Sequence, residues 1–197
     1  MSDIWLLKNH LSMKQYVFIP SFWLITMVTF TSVHGQTFHS TALGAALQKM
    51  NGEIMVPLDG DYKPLVIEDN SVQEYQWALG SASEHLEIRY LTILDNNQQL
   101  LNYPHLEASR LAMQICDNSE DARITARDLT ENERTNLYNA DWGRVYIFPP
   151  KPTFGAYLYC KMVAVFKEGS GLMVIFHLFD EASPEIDNRL YTFRFID

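Results

Sequence analysis

The chain has 197 residues, the size of one ordinary domain, and its 47% hydrophobic and 13% aromatic content excludes an intrinsically disordered protein. Its formal net charge is -9, with 24 acidic residues against 15 basic ones, and the basic residues are scattered. Because a nucleic-acid backbone is bound by clustered Lys and Arg, this composition argues against a nucleic-acid partner and indicates an acidic, soluble surface.

The first residues have the pattern of an export signal. Lys14 precedes an apolar stretch that runs from Tyr16 to Val33, and Val33 and Gly35 occupy the two positions that a signal peptidase reads. We therefore expect residues 1–35 to be a cleaved signal peptide. Cleavage there would place the mature chain in the periplasm or outside the cell.

Two alternatives stay open for this segment. Translation from Met13 would shorten the signal to a Met-Lys-Gln head before the apolar stretch. An uncleaved anchor is the second alternative, since the stretch is near the lower length limit for spanning a bilayer, although Pro20 weakens it. With cleavage, we expect residues 36–197 to form a single globular domain that has no stable insertion in a membrane.

The next part of the chain predicts a helix followed by short strands. Apolar residues recur at helical spacing from Ser40 to Met50, and Asn51 tolerates the left-handed conformation that ends a helix. Glu87 and Arg89 alternate with apolar residues, which predicts a strand with one covered face. The strands predicted here are Ile54 to Leu58, Tyr62 to Ile67, Glu74 to Leu79 and Leu86 to Leu94.

Helices and then strands fill the second half. Helical spacing runs from Pro104 to Cys116, and Thr130 with Glu133 has the spacing of a capping box. Residues 167–171 predict a hairpin loop between two strands. The strands predicted here are Val145 to Phe148, Tyr157 to Phe166, Leu172 to Phe179 and Leu190 to Ile196. This order predicts an α+β fold, a mainly antiparallel sheet with two to three helices packed on it.

No pattern of catalytic or metal-binding residues stands out. His39, His85, His105 and His177 lack the spacing of zinc ligands, and His177 falls on an apolar strand face, as a core histidine does. The segment from Asp59 to Asp61 lacks the ligand order of a calcium loop and predicts a solvated turn. We expect no catalytic residues, no metal and no cofactor.

Two cysteines follow the signal, and export would expose them to an oxidising compartment. Cys116 ends the apolar face of the helix that begins near Pro104, and Cys160 shares a strand face with Met162 and Ala164. Both side chains are therefore expected to face the core. They are candidates for a disulfide, with two buried free thiols as the alternative.

The segment from Asn139 to Arg144 has the most unusual composition in the chain. Asp141, Trp142 and Arg144 lie together at the junction of a predicted helix and strand, where a rigid scaffold commonly presents binding residues. We take these three as candidate ligand- or partner-binding residues. The alternative is a structural turn in which Trp142 fills the core.

The run Tyr138-Asn139-Ala140-Asp141-Trp142-Gly143, with the segments 157–161 and 176–180 after it, resembles the C-terminal half of a family of exported bacterial proteins. The resemblance covers roughly residues 129–180 and carries no chemistry by itself. The order of elements is also similar to that of Mog1/PsbP-like α/β/α sandwiches. That similarity implies a domain used mainly for binding partners.

These patterns predict an exported, soluble domain that binds a partner protein or a small ligand without catalysis. A cell-envelope hydrolase is the alternative. Catalysis would need a base within hydrogen-bond reach of a second polar group, so convergence of His177, Asp141 and Arg144 in one cleft would favour the hydrolase.

Overall fold

The computed structural model describes residues 41–57, 59–67, 70–95 and 102–196, which belong to one compact unit. The predicted signal peptide, residues 1–35, lies outside them. Among the helices of the described ranges, none has the length and apolar character needed to cross a bilayer.

Most of the strands form one antiparallel sheet. The described strands are β1 (Gly52–Ile54), β2 (Lys63–Pro64), β3 (Trp77–Ser81), β4 (Leu86–Leu94), β5 (Thr125–Asp128), β6 (Trp142–Phe148), β7 (Tyr159–Lys167), β8 (Gly171–Phe179) and β9 (Phe193–Phe195). Seven of them follow the order β2-β3-β4-β8-β7-β6-β5, and β1 pairs with β9 in a separate antiparallel ladder. The long strands β4, β8 and β7 therefore lie at the centre of the sheet.

Short helices surround this sheet. They are α1 (Thr41–Lys49), α2 (Pro104–Ile115), a π-helical segment (Glu133–Leu137) and α3 (Pro184–Asn188). Asn51 adopts a positive φ of 47° just after α1, as its position predicts. The capping box is also present, since Thr130 Oγ1 accepts the Glu133 N–H at 3.2 Å and Glu133 Oε2 accepts the Thr130 N–H at 2.8 Å.

Apolar layers cover both faces of the sheet. On one face, α2 packs on a cluster that includes Met162, Val174 and Phe176. On the other face, α1, α3 and the β1–β9 ladder enclose a second cluster that includes Val163 and Ile175. Every residue of β8 is consequently buried, which is the pattern of a strand covered on both sides.

Several predictions of structure are confirmed. The α+β class, the helix that begins at Pro104, the strand from Leu86 to Leu94 and the hairpin loop between β7 and β8 all match the observed elements. The sequence pattern misses β5 and α3. All residues of β5 are exposed and α3 is 5 residues long, so neither leaves a periodic apolar signal.

The prediction of one covered face for β4 is wrong. Glu87 and Arg89 are only 9% and 8% exposed, and Arg89 Nε donates to Glu87 Oε1 at 2.6 Å. The two opposite charges neutralise each other, so both side chains can be buried. The alternation of polar and apolar residues in β4 therefore reflects a buried ion pair and not a solvated face.

Candidate functional site

An open concavity of about 390 Å³ lies at the end of the sheet where β3 turns into β4. Leu65, Leu86 and Tyr157 supply its apolar wall. Its charged and titratable residues come from separate segments of the chain: Asp61, Lys63, His85 and Asp180. Ligand pockets commonly span about 300–1,000 Å³, so the concavity has room for a small molecule.

Asp61 is held in place by two serines. Ser81 and Ser83 both donate their hydroxyl groups to Oδ1, the latter at 2.8 Å. These bonds lower the pKa of Asp61 to about 2, so its carboxylate stays charged at physiological pH. A carboxylate of such low basicity is a poor activator of the Ser81 hydroxyl, and the arrangement suits an anchored anion better than a nucleophile.

The other charged groups of the concavity have fewer contacts. Asp180 Oδ1 accepts the backbone N–H of Leu158 at 2.9 Å. Lys63 is exposed on the edge strand β2, and no hydrogen bond or ion pair reaches its ammonium group from the described residues. His85 lies in the β3–β4 turn with a φ of 48° and is also exposed.

The buried ion pair of β4 lies behind Tyr157. The Tyr157 hydroxyl donates to Glu87 Oε2 at 3.1 Å, and burial raises the pKa of Tyr157 to about 12, which keeps this donor protonated. Arg89 donates to the Phe154 carbonyl, and its guanidinium lies 4.6 and 4.8 Å from the ring centroids of Tyr75 and Phe154. The pair therefore holds the loop between β6 and β7, and Tyr157 with it, against the sheet.

A second ion-pair cluster holds the β3–β4 turn. Arg189 donates from Nη2 and Nε to both carboxylate oxygens of Glu84, at 2.7 and 3.0 Å, and from Nη1 to Asp59 at 2.8 Å. Tyr62 also donates to Glu84 at 2.6 Å. These contacts connect the end of α3 to the turn, so the border of the concavity is fixed by groups that satisfy one another.

The candidate residues Asp141, Trp142 and Arg144 lie at the opposite end of the sheet. Trp142 pairs with Phe166 near the end of β7, whereas the concavity is lined by Tyr157, two residues before the start of β7. Trp142 is partly buried, and the Arg144 guanidinium lies 5.8 Å from its ring centroid while Arg144 Nε donates to Asp128 at 2.7 Å. The three residues thus form a surface separate from the concavity.

Structural contacts account for much of this unusual segment. Asn139 has a φ of 51° and donates from Nδ2 to the Phe195 carbonyl at 3.1 Å. Asp141 Oδ2 accepts the Glu168 N–H at 2.8 Å, which fixes the β7–β8 turn. A β-carbon at Gly143 would lie too close to Leu129 Cδ1, so the Leu129 side chain would have to shift to admit one. A binding role for Asp141, Trp142 and Arg144 stays a prediction.

His177 lies far from that segment and is fully buried, as its strand face predicts. Its Nδ1 is 3.2 Å from the Lys161 carbonyl oxygen, and its Nε2 is 3.0 Å from the Arg189 carbonyl oxygen. Burial lowers its pKa to about 4. His177, Asp141 and Arg144 therefore do not converge in one cleft, and the arrangement that would favour a hydrolase is not formed by them.

The two cysteines are free thiols in the structure, and both are buried in the cluster beneath α2. Burial raises the pKa of the Cys160 thiol, which disfavours the thiolate needed for disulfide exchange. A bridge between Cys116 and Cys160 stays a prediction. Within the described ranges, no three His, Cys, Asp or Glu side chains are grouped as metal ligands.

The sequence pattern predicts a solvated turn at Asp61. It does not indicate that Asp61 shares a site with Lys63, His85 or Asp180. The only available signal was the Asp61-x-Lys63 pair beside apolar Leu65.

Comparison of the chain with protein-family models, with curated proteins and with solved structures finds no match.

Proposed function

We propose that the chain is an exported, non-catalytic binding domain that binds a small ligand in the concavity between Lys63 and Asp180. The observation that carries this proposal is the composition of the concavity. Apolar side chains form its wall, and charged groups of both signs from separate segments meet at the same opening. Recognition sites for small molecules typically combine an apolar lining with a few fixed polar groups.

The state of the titratable groups supports binding over hydrolysis. The Ser81 hydroxyl donates to an anion of low pKa, and both His177 nitrogens face backbone carbonyls in the core. The Asp61 carboxylate is too weak a base to activate Ser81, and the His177 nitrogens contact carbonyl oxygens and not a hydroxyl or thiol group. These contacts favour a site that holds its ligand unchanged.

The layering of the fold supports the same proposal by analogy. An antiparallel sheet with α2 on one face and α1 and α3 on the other is the arrangement expected of a Mog1/PsbP-like α/β/α sandwich. We propose this finer fold assignment, together with membership of the family of exported proteins that shares the segment 138–143. The function still depends on the site, because one fold serves many functions.

A blocked concavity tests the proposal. Ala82 lines the opening and is exposed, so Ala82→Trp should fill the space without disturbing the core. Ala45→Trp, on the exposed side of α1, is the matched control. We expect at least one compound from a set of amino acids, dipeptides, sugars and carboxylates to raise the Tm of wild type and of Ala45→Trp, but not of Ala82→Trp. Equal stabilisation of all three proteins would contradict the proposal.

A further inference from the structure

Both signs of charge occur in the concavity without pairing with each other. Asp61 takes its hydrogen bonds from neutral serine hydroxyls, and Asp180 takes one from a backbone N–H. No ion pair links either carboxylate to Lys63 or to another cation in the described ranges. The site therefore presents two anchored anions and one uncommitted cation to the same small volume.

This charge pattern differs from that of the residues beside the concavity, whose opposite charges pair closely. Around the concavity, Arg89 binds Glu87 and Arg189 binds Glu84 and Asp59, all at 2.6 to 2.8 Å. Lys63 lines the same concavity and forms no ion pair with any of the described residues. A ligand with one charge only would leave part of the site unmatched, since an anion would meet two carboxylates and a cation would meet the Lys63 ammonium group.

We propose that the ligand is a small zwitterion, an amino acid or a short peptide, whose carboxylate binds Lys63 and whose ammonium group binds Asp61 and Asp180. This inference rests on the proposed function of the same concavity. Leu65, Leu86 and Tyr157 form the wall against which an apolar side chain of the ligand packs. The two anchored carboxylates and the Lys63 ammonium group then select the ligand by orientation as well as by charge.

The fixed geometry around the site favours tight selection. Asp61 has its orientation set by Ser81 and Ser83, and Tyr157 has its position set by Glu87. Groups that are held before binding lose little conformational freedom when the ligand arrives. The depressed pKa of Asp61 keeps its charge present across the physiological range.

Three compounds that share one apolar tail test the inference: L-leucine, 4-methylpentanoate, which lacks the ammonium group, and 3-methylbutylamine, which lacks the carboxylate. We expect calorimetric titration of the full chain to give a Kd for L-leucine at least about tenfold below that of either analogue. Maltose serves as a neutral probe. Equal affinity for L-leucine and one analogue, or binding of maltose alone, would overturn the zwitterion assignment.

Three substitutions test the two charged ends of the ligand separately. Lys63→Gln should weaken L-leucine and 4-methylpentanoate about tenfold and leave 3-methylbutylamine unchanged. Asp180→Asn keeps an oxygen for the Leu158 N–H and should weaken L-leucine and 3-methylbutylamine only. Asp61→Asn provides a second test of the ammonium end, with the Tm of each variant measured to confirm folding.

The zwitterion inference and the proposed function can be disproved separately. If maltose binds and Ala82→Trp abolishes that binding, the concavity is a ligand site and the zwitterion inference alone is wrong. If the broader compound set also produces no stabilisation that Ala82→Trp removes, the proposed function is wrong as well.

Discussion

At the scale of single residues, the sheet buries an ion pair, Glu87 and Arg89, next to the concavity. Arg89 is surrounded by a carboxylate, a backbone carbonyl and two aromatic rings, so its guanidinium is compensated on several sides. Removal of one partner from such a pair leaves the other charge unpaired in the interior, which costs more than removal of both.

Arg89→Met should therefore lower the free energy of unfolding by about 3–5 kcal/mol, because it leaves the Glu87 carboxylate buried without its partner. The double variant Glu87→Gln/Arg89→Met should be less destabilised than Arg89→Met alone. Urea denaturation of the two variants and the wild type provides the measurement. A double variant that is less stable than Arg89→Met would contradict the ion-pair explanation.

His177 predicts how stability depends on pH. Its pKa of about 4 in the folded protein lies below the ordinary value of 6.5, so the unfolded chain binds a proton more readily between these values. Stability should fall as the pH is lowered from about 6.5 to about 4, by about 3 kcal/mol in total from this residue.

The control for this prediction is His177→Gln, which has no ring to protonate. Denaturant unfolding across pH 4 to 8 should show a smaller loss of stability on acidification in the variant than in wild type. Asp61 and Glu133, whose pKa values are lowered to about 2 from 3.8 and 4.5, contribute mainly at lower pH. Identical pH profiles for the two proteins would show that His177 is not the titrating group.

At the scale of elements, the start of β6 is held by contacts on two sides. Trp142 packs on the cluster beneath α2, and Asp141 accepts a hydrogen bond from the β7–β8 turn. Both residues therefore have structural roles that do not depend on a partner. We expect the two surfaces to act independently, because they lie at opposite ends of the sheet.

Trp142→Ala should lower the free energy of unfolding by roughly 2 kcal/mol, less than for a fully buried tryptophan, because the ring is only partly buried. Asp141→Ala should cost about 1 kcal/mol through the lost hydrogen bond to Glu168. Neither variant should change the Kd of a ligand that binds in the concavity, as calorimetry can determine. Loss of that binding in folded Trp142→Ala would mean that the two ends of the sheet act together.

At the scale of the whole molecule, the N-terminal pattern predicts that the protein is exported. Cleavage after Gly35 would remove Asp3, Lys8 and Lys14 and make the net charge one unit more negative.

We expect the exported protein to begin at or near Gln36, because Val33 and Gly35 meet the requirement of a signal peptidase for small residues. Mass spectrometry of the protein isolated from its native compartment measures the N-terminus directly. Recovery of a membrane-bound form that retains Tyr16 to Val33 would support the uncleaved anchor instead.

Local patterns in the sequence were sufficient for the features that depend on neighbouring residues. Helix α2, strand β4, the β7–β8 hairpin and the capping box at Thr130 each follow from spacing within a few residues, because caps, turns and periodic apolar faces are local. The expectation of a core position for His177 followed in the same way, from the apolar residues around it in β8.

Only the tertiary structure decided which residues share a site. Asp61, His85 and Asp180 are distant in the chain and meet because antiparallel pairing brings the β3–β4 turn beside the end of β8. The same pairing places Glu87 and Arg89 under the loop that carries Phe154. The alternation of polar and apolar residues along β4 suggests a solvated face, but these two residues form a buried ion pair. Long-range strand pairing and loop coverage leave no mark within a local window, because they depend on segments that the window does not contain.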